Sequence, residues 1–444
     1  EAFLVEAEVF AVLIPFAVTL LPAGLALFFA TATGLVARLW KPGWGRVLAL
    51  ALALSATEWL RGHVLTGFPW NVLGYALTYP LPLMQSAAVL GIYGLTLCAV
   101  ITFALPPVLW AEAPAAPAGR SVRLSALAVA VLPLLLAAVV GQARLAMAST
   151  QMVPGVKIRL VQPSVPQREK WKPEHQARIF QDHLDLSVAA ADGSSGGVTH
   201  VVWPEAAMPF LPLDTPMAIT SIGQMLPPGR FLITGALRAE PLPPGSPRPR
   251  RIFNSLLVFG EGGSLAAHYD KIHLVPFGEY LPFQAVLEAI GLRQLVRMRG
   301  GFDSGTMPRP LLHVPGLPPF TPLICYEVIF PRAIVQGAER PGLLINVTND
   351  GWFGNTTGPR QHFHQARVRA VEEGVALIRV ANNGISGAVD PYGRVLARVE
   401  MNVRASVDLP LPVALMPPLY ARIGDWVFLA LWALGAAVLI ARTR

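Results

Sequence analysis

Thr321-Pro322-Leu323-Ile324-Cys325-Tyr326-Glu327 is an apolar, β-prone run that ends abruptly in a thiol, with an acid two residues on. It reads as a strand delivering a cysteine at its carboxyl end. The only other cysteine, Cys98, lies deep in a long apolar stretch, so Cys325 has no evident disulfide partner. A lone thiol so placed is a candidate nucleophile, and the plainer alternative is a small buried hydrophobe.

Two more segments repeat the pattern of a buried run ending in a chemically useful residue. Val201-Val202-Trp203-Pro204-Glu205-Ala206 projects a carboxylate just past a strand. Tyr269-Asp270-Lys271-Ile272-His273-Leu274-Val275-Pro276-Phe277-Gly278-Glu279-Tyr280 carries an ammonium and a second carboxylate. In α/β sheets, ligands bind outside the carboxyl ends of strands. Glu, Lys and Cys together suit acyl transfer. The carboxylate takes the thiol proton, and the ammonium favours the thiolate and an oxyanion. Singly, Glu205 could be a surface acid and Lys271 a solvated loop lysine.

Composition sets the surroundings of this chemistry. The chain is 53% hydrophobic and 14% charged, against about 25% charge in a soluble domain. Val9–Ala37, Leu83–Trp110 and the stretch from Leu124 to Arg144 are uncharged in between, and Gly424–Ala441 carries only Asp425. Each is long enough to cross a hydrocarbon core. Val47–Leu65 is a fifth candidate span, with Glu58 and Arg61 spaced to pair on a helix. Arg38, Lys41, Arg46, Arg120, Arg123, Arg442 and Arg444 flank the spans on one side, which the positive-inside rule places in the cytoplasm. The acidic start (Glu1, Glu6, Glu8) and the long region from about 150 to 420 then fall outside. The net charge of +8 is explained by these flanks and by anionic lipid, with no need for nucleic acid.

The expected organisation is a transmembrane bundle over 1–148, an outward α/β domain over 155–412 and a closing transmembrane helix over 424–441. Within the domain, Val156–Val161, His200–Trp203, Phe231–Gly235, Ser255–Phe259, Pro322–Cys325, Leu343–Val347, Ala376–Val380 and Gly387–Val389 read as strands. Pro173–Ala191, Pro331–Gly337 and Pro359–Gly374 read as helices, and this alternation implies an α/β fold. Ala113–Gly119 and Pro241–Pro249 read as loops, and Gly260–Gly263 as a turn between strands. His362 and His364 lack the i, i+4 spacing of a zincin, and no metal or cofactor is expected. The sequon-like Asn346-Val347-Thr348 sits in a strand and carries no weight.

Glu205, Lys271 and Cys325, in this order and in these motifs, resemble the Glu-Lys-Cys triad of the nitrilase (carbon–nitrogen hydrolase) superfamily. The likeness extends to Glu58–Gly62, Thr66–Asn71, Trp203–Ala207, His273–Tyr280 and Asn349–Gly354. With spans before and after the domain, these phrases resemble the membrane-embedded apolipoprotein N-acyltransferase family of bacteria. The resemblance implies a membrane α-helical bundle plus a nitrilase-like αββα sandwich in the inner membrane, with its catalytic domain periplasmic. It also implies eight spans, so the five counted here, in a chain starting at Glu1 without Met, predict an N-terminal truncation.

The same resemblance implies roles for further residues. Glu279 is the second active-site carboxylate, Tyr326, Glu327 and Asn254 support the site, and Trp171, Phe277 and Tyr280 lie along the substrate path. The implied reaction passes an acyl chain from a phospholipid, with phosphatidylethanolamine the expected donor, through a Cys325 thioester. The acceptor is the α-amine of the lipidated cysteine of a diacylglyceryl apolipoprotein. The triad alone equally suits a membrane-anchored amidase acting on a small amide, and a non-catalytic lipid-binding protein is the third possibility. Met208–Leu213 and Tyr280–Leu287, apolar and directly after catalytic motifs, are expected to form a lid dipping into the headgroups.

Overall fold

The computed structural model describes residues 14–38, 40, 43–112, 117–188, 197–246, 249–289 and 301–443. The acidic start, Lys41, Arg444, much of the Ala113–Gly119 breaker and part of the Pro241–Pro249 breaker lie outside them.

Long apolar runs form α1 (Ile14–Arg38), α2 (Gly45–His63), α3 (Ala87–Glu112) and α4 (Pro117–Ala146). Among the described residues, three helical stretches are long and apolar enough to cross a membrane: Ile14–Arg38, Ala87–Ala111 and Gly119–Ala146. The C-terminal apolar helix, Trp426–Arg442, is shorter. The expected pairing on α2 is present: Arg61 lies 3.5 Å from Glu58, and both are buried. Glu58 also accepts the Leu73 N–H and the Thr96 hydroxyl, each at 3.1 Å, so its charge is fully used inside the bundle. Helix α3 breaks at Gly91 (φ 60°, ψ 176°). The Tyr420 ring packs so closely there that a Cβ would stand 2.1 Å from it.

The rest builds two sheets. β1 (Met152–Gln162) leads to α5 (Gln176–Val188), β2 (His200–Trp203), α6 (Pro216–Met225), β3 (Phe231–Pro241), β4 (Arg250–Phe259) and β5 (Leu265–Asp270). After α7 (Gln284–Ala289) come β6 (Phe320–Ile324), β7 (Leu343–Thr348), α8 (Gly358–Glu373), β8 (Ala376–Ala381), β9 (Ser386–Val389), β10 (Val395–Val399) and β11 (Ala405–Pro412). Helix α9 (Trp426–Thr443) closes the chain. The first sheet runs β11-β1-β2-β3-β4-β5 and the second β10-β9-β8-β7-β6. β1-β2-β3 and β6-β7-β8 are parallel. Pro322 is tolerated because β6 is an edge strand.

The sheets face each other across one apolar core. Ile158, Val202, Ile233 and Val258 of the first meet Leu323, Ile345 and Ile378 of the second. Parallel strands are buried on both faces, so they read as unbroken apolar runs, as β2 does. Val201 and Trp203 pack instead under α5 and α6, with Phe180 and Ile222. Helix α8 covers the second sheet with Phe363, Ala366 and Ala370. Its other face places Val368 and Val371 against Met84 and Ile92 of the bundle. There Glu372 accepts the Ile92 N–H at 2.9 Å, satisfying a donor just past the Gly91 break. This is an αββα sandwich seated on membrane helices.

Two sequence expectations fail here. Pro331–Gly337 forms turns, not a helix; Arg332 there takes a left-handed φ of 64°. Met208–Leu213 is no lid, because Met208 is fully buried and packs with Phe210 under the first sheet. Tyr280–Leu287 does reach solvent, with Phe283 85% and Val286 65% exposed.

Candidate active site

Each strand end delivers one group. Glu205 follows β2 in a tight loop whose Ala206 has φ 46°. That loop lies against Gly235 of β3, where a Cβ would stand 2.5 Å from the Glu205 Cα. Only glycine admits this approach, and the Gly235 N–H and C=O pair with Pro204 and Ala207 across it. Cys325 follows β6 with φ 54°, opening a short 3-10 turn. A non-glycine residue held left-handed is strained, and such strain recurs where a side chain must be aimed. Lys271 directly follows β5, and its N–H is held by the Asn254 carbonyl at 2.8 Å.

The structure brings Glu205, Lys271, Glu279, Asn254 and Cys325 into one buried cluster. Lys271 Nζ lies 2.9 Å from Glu279 and 3.8 Å from Glu205 Oε1. Asn254 Nδ2 donates to Glu205 at 2.8 Å and to Glu279 at 2.9 Å, fixing the spacing of the two carboxylates. Glu279 also accepts the Val275 N–H at 2.8 Å. Glu205 Oε2 accepts the Asn349 N–H at 2.8 Å, a contact reaching across from the end of β7.

The electrostatics separate the roles. Burial would lower the Lys271 pKa, but Glu279 and Glu205 outweigh it and hold the ammonium charged. Burial pushes the Glu205 carboxyl up, with Lys271 opposing. Burial, followed by the Glu205 charge, pushes the Cys325 thiol up, again with Lys271 opposing. The resting site therefore holds a thiol, an ammonium paired to Glu279, and a second carboxylate with raised proton affinity. A base so tuned can accept a proton during attack and return it.

Glu327 behaves otherwise. Its Oε1 accepts from Tyr269 (2.8 Å), Arg309 (3.0 Å) and the Ile272 and His273 N–H groups (3.2 and 3.1 Å). Its Oε2 accepts the Ile324 N–H at 2.9 Å. Glu327 therefore staples the Lys271 loop to the Cys325 turn. Burial opposes its charge, yet Arg309 more than compensates and holds the carboxyl below the usual range. Tyr326 donates to the Leu274 carbonyl at 3.0 Å and sets its ring 5.7 Å from the Lys271 ammonium.

The residues expected along the substrate path sit at the rim. Trp171 is exposed beside the short helix Gln167–Lys170. Phe277 is exposed at φ 59°, in a turn closed by its N–H on the Tyr280 carbonyl at 2.8 Å. Tyr280 is half-buried and packs with Leu237, Leu274 and Phe302.

Sequence reasoning missed Lys170, Asn349, Asp350, Arg309 and Arg379. His362, considered only as a metal ligand, is fully buried and bonds Asp350 at 3.0 Å. Arg379 completes that cluster at 2.9 Å from Asp350. Asn346 is no modification site: its buried amide donates to the Leu323 and Cys325 carbonyls at 3.2 and 3.1 Å, bracing the Cys325 turn. The β-prone run holding Asn346 and the Asn349–Gly354 phrase were the available signals; none pointed to these contacts.

Comparison with known proteins gives two family matches. The carbon-nitrogen hydrolase model matches residues 157–410, and the apolipoprotein N-acyltransferase N-terminal domain model matches residues 1–105. The apolipoprotein N-acyltransferase of Bradyrhizobium diazoefficiens is 47% identical over 442 residues, covering 99% of this chain and 81% of that protein. That of Rhodopseudomonas palustris is 45% identical over 450 residues, covering 100% and 82%. Among solved structures, a mutant amidase of Nesterenkonia AN1 from the nitrilase superfamily aligns with TM-score 0.40 and 19% identity. It covers 63% of this chain and 96% of that one. A likeness that low has no bearing on the chemistry of the site.

Proposed function

Because the chain belongs to the apolipoprotein N-acyltransferase family, we infer that it N-acylates lipoproteins from membrane phospholipid, with Cys325 as the acyl carrier. The observation carrying this reading is one buried cluster in which a strained thiol, a held ammonium and a carboxylate of raised proton affinity meet. The protein is an N-acyltransferase and a membrane protein. The finer assignments below are the reading this geometry supports best.

Glu205 accepts the Cys325 proton as sulfur attacks the acyl ester carbon of a phospholipid. Lys271, kept charged by Glu279, balances the oxyanion. Collapse breaks the ester C–O bond, and Glu205 returns the proton to the departing lysophospholipid oxygen. Cys325 is left as a thioester. In the second half, the α-amine of a diacylglyceryl-cysteine N-terminus attacks that carbonyl and gives its proton to Glu205. Cys325 leaves as the thiolate and takes the proton back, and an amide remains. Phosphatidylethanolamine is the proposed donor. The arginine flanks of the spans support a catalytic domain on the periplasmic side of the inner membrane.

Burial of the cluster supports transfer over hydrolysis, because a thioester persists only where water is excluded. The test is a two-stage trap. Purified protein is incubated with phosphatidylethanolamine vesicles, and intact mass is read beside Cys325→Ser. A gain of one acyl chain, labile to hydroxylamine, absent in the mutant and discharged by a diacylglyceryl-cysteine peptide, is expected. No adduct, together with hydrolysis of small amides, would turn the reading to an amidase.

A further inference from the structure

Lys170 is a buried ammonium that the reaction above does not use. It is 2% exposed, at the end of the short helix Gln167–Lys170. Burying an ammonium costs several kcal/mol unless charge and hydrogen bonds compensate. Lys170 Nζ donates at 3.0 Å to the backbone carbonyl of Glu205. An ammonium has three protons to give, so a single carbonyl does not account for its burial. A methionine would fill the same space without the cost.

The surroundings show what the charge does. Lys170 and Glu205 each feel the other's charge, and Cys325 also faces the lysine. From α5, His183 faces it too, but burial pulls that imidazole down to about 4, so it stays neutral above that pH. Lys271 and Glu279 are the other charges on Glu205. The same helical turn grips Glu205 by a second route: Gln167 Oε1 accepts from the Asn349 side chain at 2.7 Å, and the Asn349 N–H holds Glu205 Oε2.

We propose that Lys170 is a positioning residue for Glu205, clamping its backbone carbonyl and keeping its carboxylate in the proton-accepting form. This rests on Glu205 being the base of the transfer. Burial pulls the Lys170 pKa down to about 8, with Glu205 and Cys325 opposing. The lysine therefore carries its charge below about pH 8 and there favours the carboxylate form of Glu205. Removing that charge disfavours the carboxylate, so the acid limb moves to higher pH.

The experiment measures the rate of thioester formation on full-length protein in phosphatidylethanolamine/phosphatidylglycerol vesicles, from pH 5 to pH 9. Lys170→Gln retains a donor but no charge, and Lys170→Arg retains both. The acid limb of Lys170→Gln should rise by about one unit, slowing the reaction about tenfold on the limb while the plateau stays within about threefold. Lys170→Arg should restore the wild-type limb. Should Lys170→Gln fail to fold, Lys170→Met carries the same expectation. A neutral variant with an unshifted limb, whether its rates are normal or uniformly lowered, overturns the proposal. Glu205→Gln run alongside separates the two failures. If it is inactive while the neutral lysine variant keeps its limb, only this inference falls. If it reacts at the wild-type rate, the assignment of the base falls and takes this inference with it.

Discussion

Glu205 and Glu327 lie in one domain, both buried, and each faces a cation. Glu327 meets Arg309 at 3.0 Å and accepts from two side chains and three backbone N–H groups. Glu205 meets Lys271 only at 3.8 Å, and its carboxylate is held by one asparagine side chain and one N–H. Burial raises the proton affinity of both, but the Arg309 charge and its hydrogen bond overcome it at Glu327, while Lys271 only opposes it at Glu205. A carboxylate filled with donors locks a structure in place. One left partly unfilled has capacity to take a proton.

The largest effect should come from breaking the under-satisfied side. Glu205→Gln should slow thioester formation by about 10²–10⁴, the range for losing a general base, while thermal unfolding barely moves. Its counterpart, Glu327→Gln, should act on the fold. It leaves Arg309 buried without a charge partner, at a cost of about 3–5 kcal/mol. A melting curve in detergent checks this, with activity lost as the Lys271 loop detaches from the Cys325 turn.

pH sharpens the contrast. The lowered pKa of Glu327 gives stability that is complete above its unfolded pKa, about 4.3. That stability is lost as the pH falls through the lower folded value, so acid unfolding should begin below about pH 4. The raised pKa of Glu205 acts with the opposite sign. Its ionisation costs the fold stability as pH rises, while the proposed transfer needs the ionised form. The acid limb of thioester formation should therefore lie well above the onset of acid unfolding, and overlap of the two would break the comparison. The smallest effect belongs to the rim. Phe283→Ser, at a residue 85% exposed, should lower transfer from vesicles a few-fold and leave reaction with detergent-dispersed phospholipid unchanged, the result that would put its ring against the bilayer.

Much of this was legible in the chain because Glu205 and Cys325 directly follow parallel strands that are buried along their whole length. β2 and β6 read as mostly apolar runs, and the chemically useful residue just past each stands out. β5, β10 and β11 went unread, since His268 and Asp270, Arg398, and Asp408 interrupt their apolar residues. Met208–Leu213 deceived by composition, because an apolar loop tucked under a sheet looks like an apolar loop facing lipid. Lys170 and Asn349 lie far from Glu205 in sequence and meet it only when the sheets pack, so no local pattern reveals them.

The most direct test of this account is single-turnover thioester formation by Glu205→Gln, read by intact mass on protein whose melting temperature matches wild type. A loss of at least about 10² is expected, with the fold intact and Cys325 still unmodified. A thioester forming at the wild-type rate would contradict it, and would mean that Glu205 is, like Glu327, part of the frame.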